Sequence, residues 1–145
     1  MDERFTINEN KMNHILAVAR LMYQMAIDDG KSEEYAEQMF LLGYLHDLGY
    51  EFCTKSPDHP TIGANILKAC NYKYADEVLY HGKPVKGHIF DQYAMDLLDK
   101  ADLLIDHTGK YVGAKIRLEG IKERYGENSH QYQNASAMVE ILKLI

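Results

Sequence analysis

Apolar residues recur at helical spacing in the long segments of this chain, and the two-residue alternation of a half-buried strand is missing. Ile15, Leu16, Val18, Ala19, Met22 and Met25 keep the helical period, as do Leu97, Leu98, Ala101, Leu104 and Ile105. Glycine, proline and Asn/Asp clusters punctuate the segments. Asn8 or Asn10 is placed to cap a first helix running to about Ala26, before Asp28-Asp29-Gly30, and Ser32 to cap a second running to Leu48. A third begins at Pro57-Asp58-His59-Pro60 and reaches Ala69. A fourth spans Tyr74 to Tyr80, and a fifth Asp91 to Asp106. Lys110–Arg124 and Ser129–Leu144 form a closing pair joined by Tyr125-Gly126-Glu127-Asn128. These segments predict an all-α fold, a compact bundle of six to seven helices. With 145 residues, no internal repeat and no linker, one domain over 1–145 is expected.

Several of these helices carry a polar residue where an apolar one would pack. His14 interrupts the first apolar face, and His46-Asp47 sits at the end of Leu41-Leu42-Gly43-Tyr44-Leu45. A neutral imidazole and a carboxylate are good ligands for Mn, Fe, Co, Ni or Zn, whereas Mg favours a more oxygen-rich site. A buried Asp is costly unless it is paired, hydrogen-bonded or metal-bound. Adjacent helical residues point ~100° apart, so the two converge on one ion only from a helix end. Gly49 supplies such an end, as the glycine expected just past a helix C-terminus.

His59, His81 and Asp102 complete an ordered series: His, His-Asp, His, His, Asp. Taken singly, each has an ordinary reading. His14 suits a hydrogen-bonded helix histidine, His59 a helix start, and His81 a cation at a helix C-terminus. Asp102 suits a surface charge pattern with Asp99, Lys100 and Asp106. Six such residues in this order are another matter.

The series resembles the HD-domain superfamily of metal-dependent phosphohydrolases over about residues 10–107, leaving a C-terminal helical pair at about 110–144. His14, His46, Asp47 and Asp102 match its four defining ligands, and His59 and His81 the two further histidines of its dinuclear branches. His59-Pro60-x-x-Gly63-Ala64 and Tyr80-His81-Gly82 look closest to the HD-type dinucleoside tetraphosphate hydrolases. The HD-GYP cyclic-dinucleotide phosphodiesterases are more distant. They usually carry Lys where this chain has Tyr50, and a Gly-Tyr-Pro segment where it has Gly82-Lys83-Pro84.

The resemblance implies one or two divalent ions (Fe, Mn, Ni or Co, with Mg or Zn as alternatives) and hydrolysis of a nucleotide or related phosphoester by metal-activated water. His46 and Asp47 stand at the centre of that chemistry. Lys83, two residues after His81, is the first candidate for phosphate binding, with Lys55 and Arg117 behind it. Two alternatives stay open: a di-iron oxygenase on the same ligands, and a non-catalytic nucleotide-binding sensor. Tyr50 disfavours the oxygenase, whose relatives often place Lys or His there. A complete ligand set disfavours the sensor.

A net charge of −6 and a pI near 5.6 argue against an extended nucleic-acid surface, yet leave room for a small phosphorylated partner. No Gly-x-x-x-x-Gly-Lys-Ser/Thr loop or dinucleotide fingerprint supports ATP-driven or NAD chemistry. Cys53 and Cys70 lack metal-type spacing and suit two reduced thiols. Met1–Thr6 lacks a basic-then-apolar signal, and no apolar run approaches ~18 residues, so a cytoplasmic location away from membranes is expected. His88, His107 and His130 lie in connections where exposure is the default. Three roles remain open for residues 110–145: covering the pocket, forming a homodimer face, or completing the core.

Overall fold

A computed structural model describes residues 7–52 and 59–145. These residues form a compact all-α bundle of seven helices: α1 (Glu9–Asp28), α2 (Glu33–Leu45), α3 (His59–Ala69), α4 (Ala75–Tyr80), α5 (Gln92–Leu104), α6 (Ala114–Tyr125) and α7 (His130–Ile141). A 3-10 turn, Leu48–Glu51, follows α2. The described residues contain no strand, and an isolated bridge joins Ile105 to Tyr111. Cys53, Lys55 and the Pro57-Asp58 start expected for the third helix lie outside the described residues.

Short polar side chains start four helices by accepting the otherwise unpaired main-chain N–H groups of a first turn. Asn8 accepts from Lys11 N at 2.8 Å, Ser32 from Tyr35 N at 3.1 Å, Asp91 from Ala94 N at 3.2 Å and Ser129 from Tyr132 N at 3.1 Å. The ends differ from the sequence expectation. α2 stops at Leu45 rather than Leu48, and α5 at Leu104 rather than Asp106. In both places a metal-type residue or its support needs a direction that a continuing helix would deny it.

The main core is built by α1 to α5, with Val18, Met22, Met39, Leu42, Val78, Met95 and Leu98 all at 0% exposure. Burying side chains of this size stabilises the fold by about 1.5–3 kcal/mol each. Gly43 lets α2 press against α1, since a Cβ there would lie 2.7 Å from Ala19 Cα. A second cluster joins Leu103 and Leu104 of α5 to Ile121 of α6 and Ala135, Met138 and Val139 of α7. Leu21 and Met25 of α1 pack against it. Through α5, the closing pair is anchored beside the polar residues that interrupt the main core.

Candidate metal centre

Five elements bring the six ligand-type residues to one place. His14 is on α1, and His46 and Asp47 are at the end of α2. His59 is the first residue of α3, His81 follows the last residue of α4, and Asp102 is on α5. His46 keeps helical backbone angles (φ −61, ψ −30), whereas Asp47 leaves them (φ −104, ψ 18). This change of direction lets both side chains turn inward, at 0% and 3% exposure.

Gly49 is not the left-handed residue that its position suggested, because its φ is not positive. Its role is close approach: a Cβ would stand 1.9 Å from the His59 carbonyl oxygen. Glycine thus lets α3 start against the 3-10 turn, with the His59 imidazole beside Asp47.

Main-chain carbonyls fix three of the rings. His14 Nδ1 lies 2.8 Å from Asp106 O, His46 Nδ1 2.6 Å from Gly43 O, and His81 Nδ1 2.6 Å from Val78 O. A carbonyl only accepts, so each Nδ1 must donate. In the neutral ring, Nε2 is then a bare lone pair.

Those lone pairs face carboxylates. His14 Nε2 is 2.8 Å from Asp102 Oδ1. His46 Nε2 is 3.2 Å from Asp47 Oδ2 and 3.5 Å from Asp102 Oδ1, yet buried without a hydrogen-bond partner among the described residues. His59 Nε2 is likewise buried and without one, 3.2 Å from Asp47 Oδ1, and His81 Nε2 lies 3.5 Å from the same oxygen.

Acceptor facing acceptor in a buried site is unfavourable unless positive charge enters. In the protein alone, a proton supplies it. Burial opposes charge on His46, but Asp47 and Asp102 outweigh it and push the ring up to about 10. Burial also opposes the charge of Asp47, yet His46 and then Lys11 hold its carboxyl well below the ordinary range; His14 and His46 do the same for Asp102. Burial lowers His59 despite Asp47. A divalent cation would meet the same demand at several lone pairs at once, with each carbonyl-bound Nδ1–H orienting its ring. His14, His46 and Asp102 form one group whose ligand atoms lie within 4.8 Å of one another, and His46, Asp47 and His81 form a second. The donor set therefore fits one or two divalent-metal sites.

A cavity of about 190 Å³ opens beside this centre. Of the expected phosphate-binding residues, Lys83 and Arg117 line it, and Lys55 is outside the described residues. Arg117 Nε donates to the Asp102 carbonyl at 3.3 Å.

Lys11, Gln131 and Asn134 were not singled out by sequence reasoning. Lys11 precedes His14 by three residues, a spacing that shares a helix face. Its Nζ is 3.5 Å from Asp47 Oδ2 and 4.1 Å from the centroid of Tyr50, whose ring stacks on His59 at 3.9 Å. Arg124, Tyr125, Gln131 and Asn134 come from α6 and α7, so the closing pair both covers the cavity and completes a core. His107 and His130 are exposed, as expected of connections, but line the same cavity. Asp99, far from a surface pattern, is 1% exposed.

The HD domain family model matches residues 12–130, and the chain belongs to the HD domain family. The match passes the expected limit of residue 107 to take in α6 and the start of α7. No match was found among curated proteins or solved structures. None of the helices in the described residues is long and apolar enough to cross a membrane.

Proposed function

We propose that this protein is a metal-dependent phosphohydrolase acting on a nucleotide or related small phosphoester. The observation that carries the proposal is the division of the Asp47 carboxylate. Oδ2 faces His46 at 3.2 Å and His14 at 3.8 Å, while Oδ1 faces His59 at 3.2 Å and His81 at 3.5 Å. On this reading His14, His46, Asp47 and Asp102 would hold a first ion, and Asp47, His59 and His81 a second. Such ions supply charge neutralisation at phosphoryl oxygens and acidify water.

The chain itself does the rest. The carbonyls of Asp106, Gly43 and Val78 keep protons on the Nδ1 atoms and turn the Nε2 atoms inward. Lys11, Lys83 and Arg117, with Lys55 as a further candidate, bind phosphoryl oxygens and offset the charge that grows on them during reaction. α6 and α7 cover the cavity and limit water to the reacting face. The amides of Gln131 and Asn134 offer both donors and acceptors to the uncharged part of the substrate.

The test is metal content after purification without chelator, paired with a panel of nucleotides, dinucleoside polyphosphates, cyclic dinucleotides and simple phosphoesters under Mn, Fe(II), Co, Ni and Mg. Metal-dependent turnover that His46→Ala and Asp47→Ala abolish is expected. Iron-dependent oxygen consumption without hydrolysis would replace the proposal with an oxygenase. Tight nucleotide binding without turnover in any metal would replace it with a sensor.

A further inference from the structure

Four imidazoles face Asp47, and three of them are held at Nδ1 by a main-chain carbonyl: His14 by Asp106, His46 by Gly43 and His81 by Val78. Among the described residues no carbonyl does this for His59. Its ring lies instead against Tyr50, with the centroids 3.9 Å apart and the planes 22° from parallel. His81 stands across it, centroids 5.4 Å apart and planes at 61°.

The two kinds of support differ in what they fix. A carbonyl at Nδ1 sets the orientation of a ring and also which nitrogen carries the proton. An aromatic face resists tilting of the ring laid on it but leaves rotation within that plane open. Tyr50 reaches His59 because it belongs to the 3-10 turn Leu48–Glu51, directly after His46-Asp47, and Gly49 lets the His59 backbone close on the same turn. The Tyr50 ring is itself engaged from α1: Lys11 Nζ stands 4.1 Å from its centroid and 3.5 Å from Asp47 Oδ2. One aromatic ring thus joins α1, the turn after α2 and the start of α3 around a single carboxylate.

We propose that Tyr50 is the positioning residue for His59 and, through it, sets how firmly the second of two ions is held. The inference rests on the two-ion arrangement of the proposed function. The position shared by His14, His46 and Asp102 is built on carbonyl-locked rings. The position shared by Asp47, His59 and His81 includes a ring held by a face. The second ion is therefore the weaker-bound and the more readily exchanged, and its affinity follows the aromatic face at residue 50. Tyr50 acts through His59 and ligates nothing itself.

The experiment is titration of the metal-free full chain with Co(II), followed by visible absorption, with bound metal counted by elemental analysis and folding checked by thermal melts. The wild type is expected to take two equivalents, the second more weakly. Tyr50→Leu is expected to weaken the second equivalent by about three- to tenfold, the scale of a lost aromatic pair, and to leave the first within about twofold. Tyr50→Phe keeps the face and is expected to match the wild type at both. In a His59→Ala background, Tyr50→Leu is expected to have no further effect, because the ring it positions is gone. Tyr50→Gln, which also lacks a ring, takes the place of the leucine variant if that variant does not fold. An unchanged second equivalent, equal weakening of both, a Tyr50→Phe variant as impaired as Tyr50→Leu, or an effect that persists without His59 overturns the proposal.

Turnover of the substrate panel reports separately on the hydrolase reading. If phosphoesters are hydrolysed but the wild type takes a single ion, or Tyr50→Leu loads like the wild type, the reading stands and the role of Tyr50 falls. If the second ion depends on Tyr50 but no metal supports hydrolysis, the role of Tyr50 stands and the reading falls.

Discussion

Lys86 and the buried Asp99 form a partly buried ion pair, Nζ to Oδ2 at 2.8 Å, that ties the segment after α4 to the middle of α5. The other carboxylate oxygen accepts the Gly82 N–H at 2.7 Å, and Lys86 also donates to the carbonyls of Tyr80 and Lys83. The pair thereby holds both neighbours of His81 and the backbone of Lys83. Removing one partner of such a pair leaves an uncompensated buried charge, which costs about 3–5 kcal/mol. Lys86→Met is expected to lower unfolding stability by about 3 kcal/mol in urea titrations. Adding Asp99→Leu is expected to recover part of that loss, although the Gly82 N–H then loses its acceptor. Equal stability of Lys86→Met and the wild type would show that the pair contributes nothing.

Gly49→Ala puts a methyl group against the His59 carbonyl, where backbone and not a flexible side chain must move. Overpacking of this kind costs about 1–3 kcal/mol. Because the displaced residue is His59, metal content is expected to fall along with stability. Elemental analysis and thermal melts of the variant check the two effects together. Full metal content in a folded Gly49→Ala protein would remove His59 from the proposed ligand set.

Lys11→Met removes the ammonium beside Asp47 without touching a proposed ligand-to-metal bond. Weaker substrate binding by about tenfold is expected, consistent with one lost charge-assisted hydrogen bond. Steady-state kinetics on the best substrate of the panel check it, with Lys11→Arg restoring part of the effect. An unchanged kcat/KM would make Lys11 a structural counter-charge only.

Glu77, at 0% exposure, accepts from the Phe90 and Asp91 N–H groups through Oε2 at 3.0 and 2.7 Å, while Oε1 has no hydrogen-bond partner among the described residues. Burial raises its carboxyl above the ordinary range against those hydrogen bonds. The folded state therefore binds this proton more tightly than the unfolded chain. Its contribution is fully present below pH 4.5 and declines as pH rises from there through the raised value. Glu77→Gln keeps an acceptor for the two N–H groups and has no charge to bury. The variant is expected to lack this decline and to match or exceed the wild type at pH 7 by up to about 1 kcal/mol. Denaturant titrations from pH 4.5 to 7.5 decide it, and a parallel decline in both proteins counts against Glu77 as the source.

Much of the fold was legible because helix formation is a local matter. The caps Asn8, Ser32, Asp91 and Ser129, and the apolar period around Val18 and Leu98, are written within a few residues of each helix they shape. The six ligand-type residues were legible in another way, as an ordered His, His-Asp, His, His, Asp series that resembles the HD-domain pattern, since each taken singly had an ordinary reading. Gly49 shows where local inference ends: a glycine after a helix suggests a left-handed cap, but this one answers to the carbonyl of His59 in the next helix.

The sequence by itself determined an all-α chain, because periodicity and capping are properties of short segments, and its ordered His/Asp series named, by resemblance to the HD-domain pattern, the residues that could hold a metal. Only the tertiary structure decided that Asp47 turns one oxygen toward His14 and His46 and the other toward His59 and His81. It alone set Lys11 beside that carboxylate, buried Asp99 against Lys86, and turned Arg117 and Arg124 into the same cavity. These relationships join residues from different helices, and their directions depend on how the helices pack. No local pattern records them.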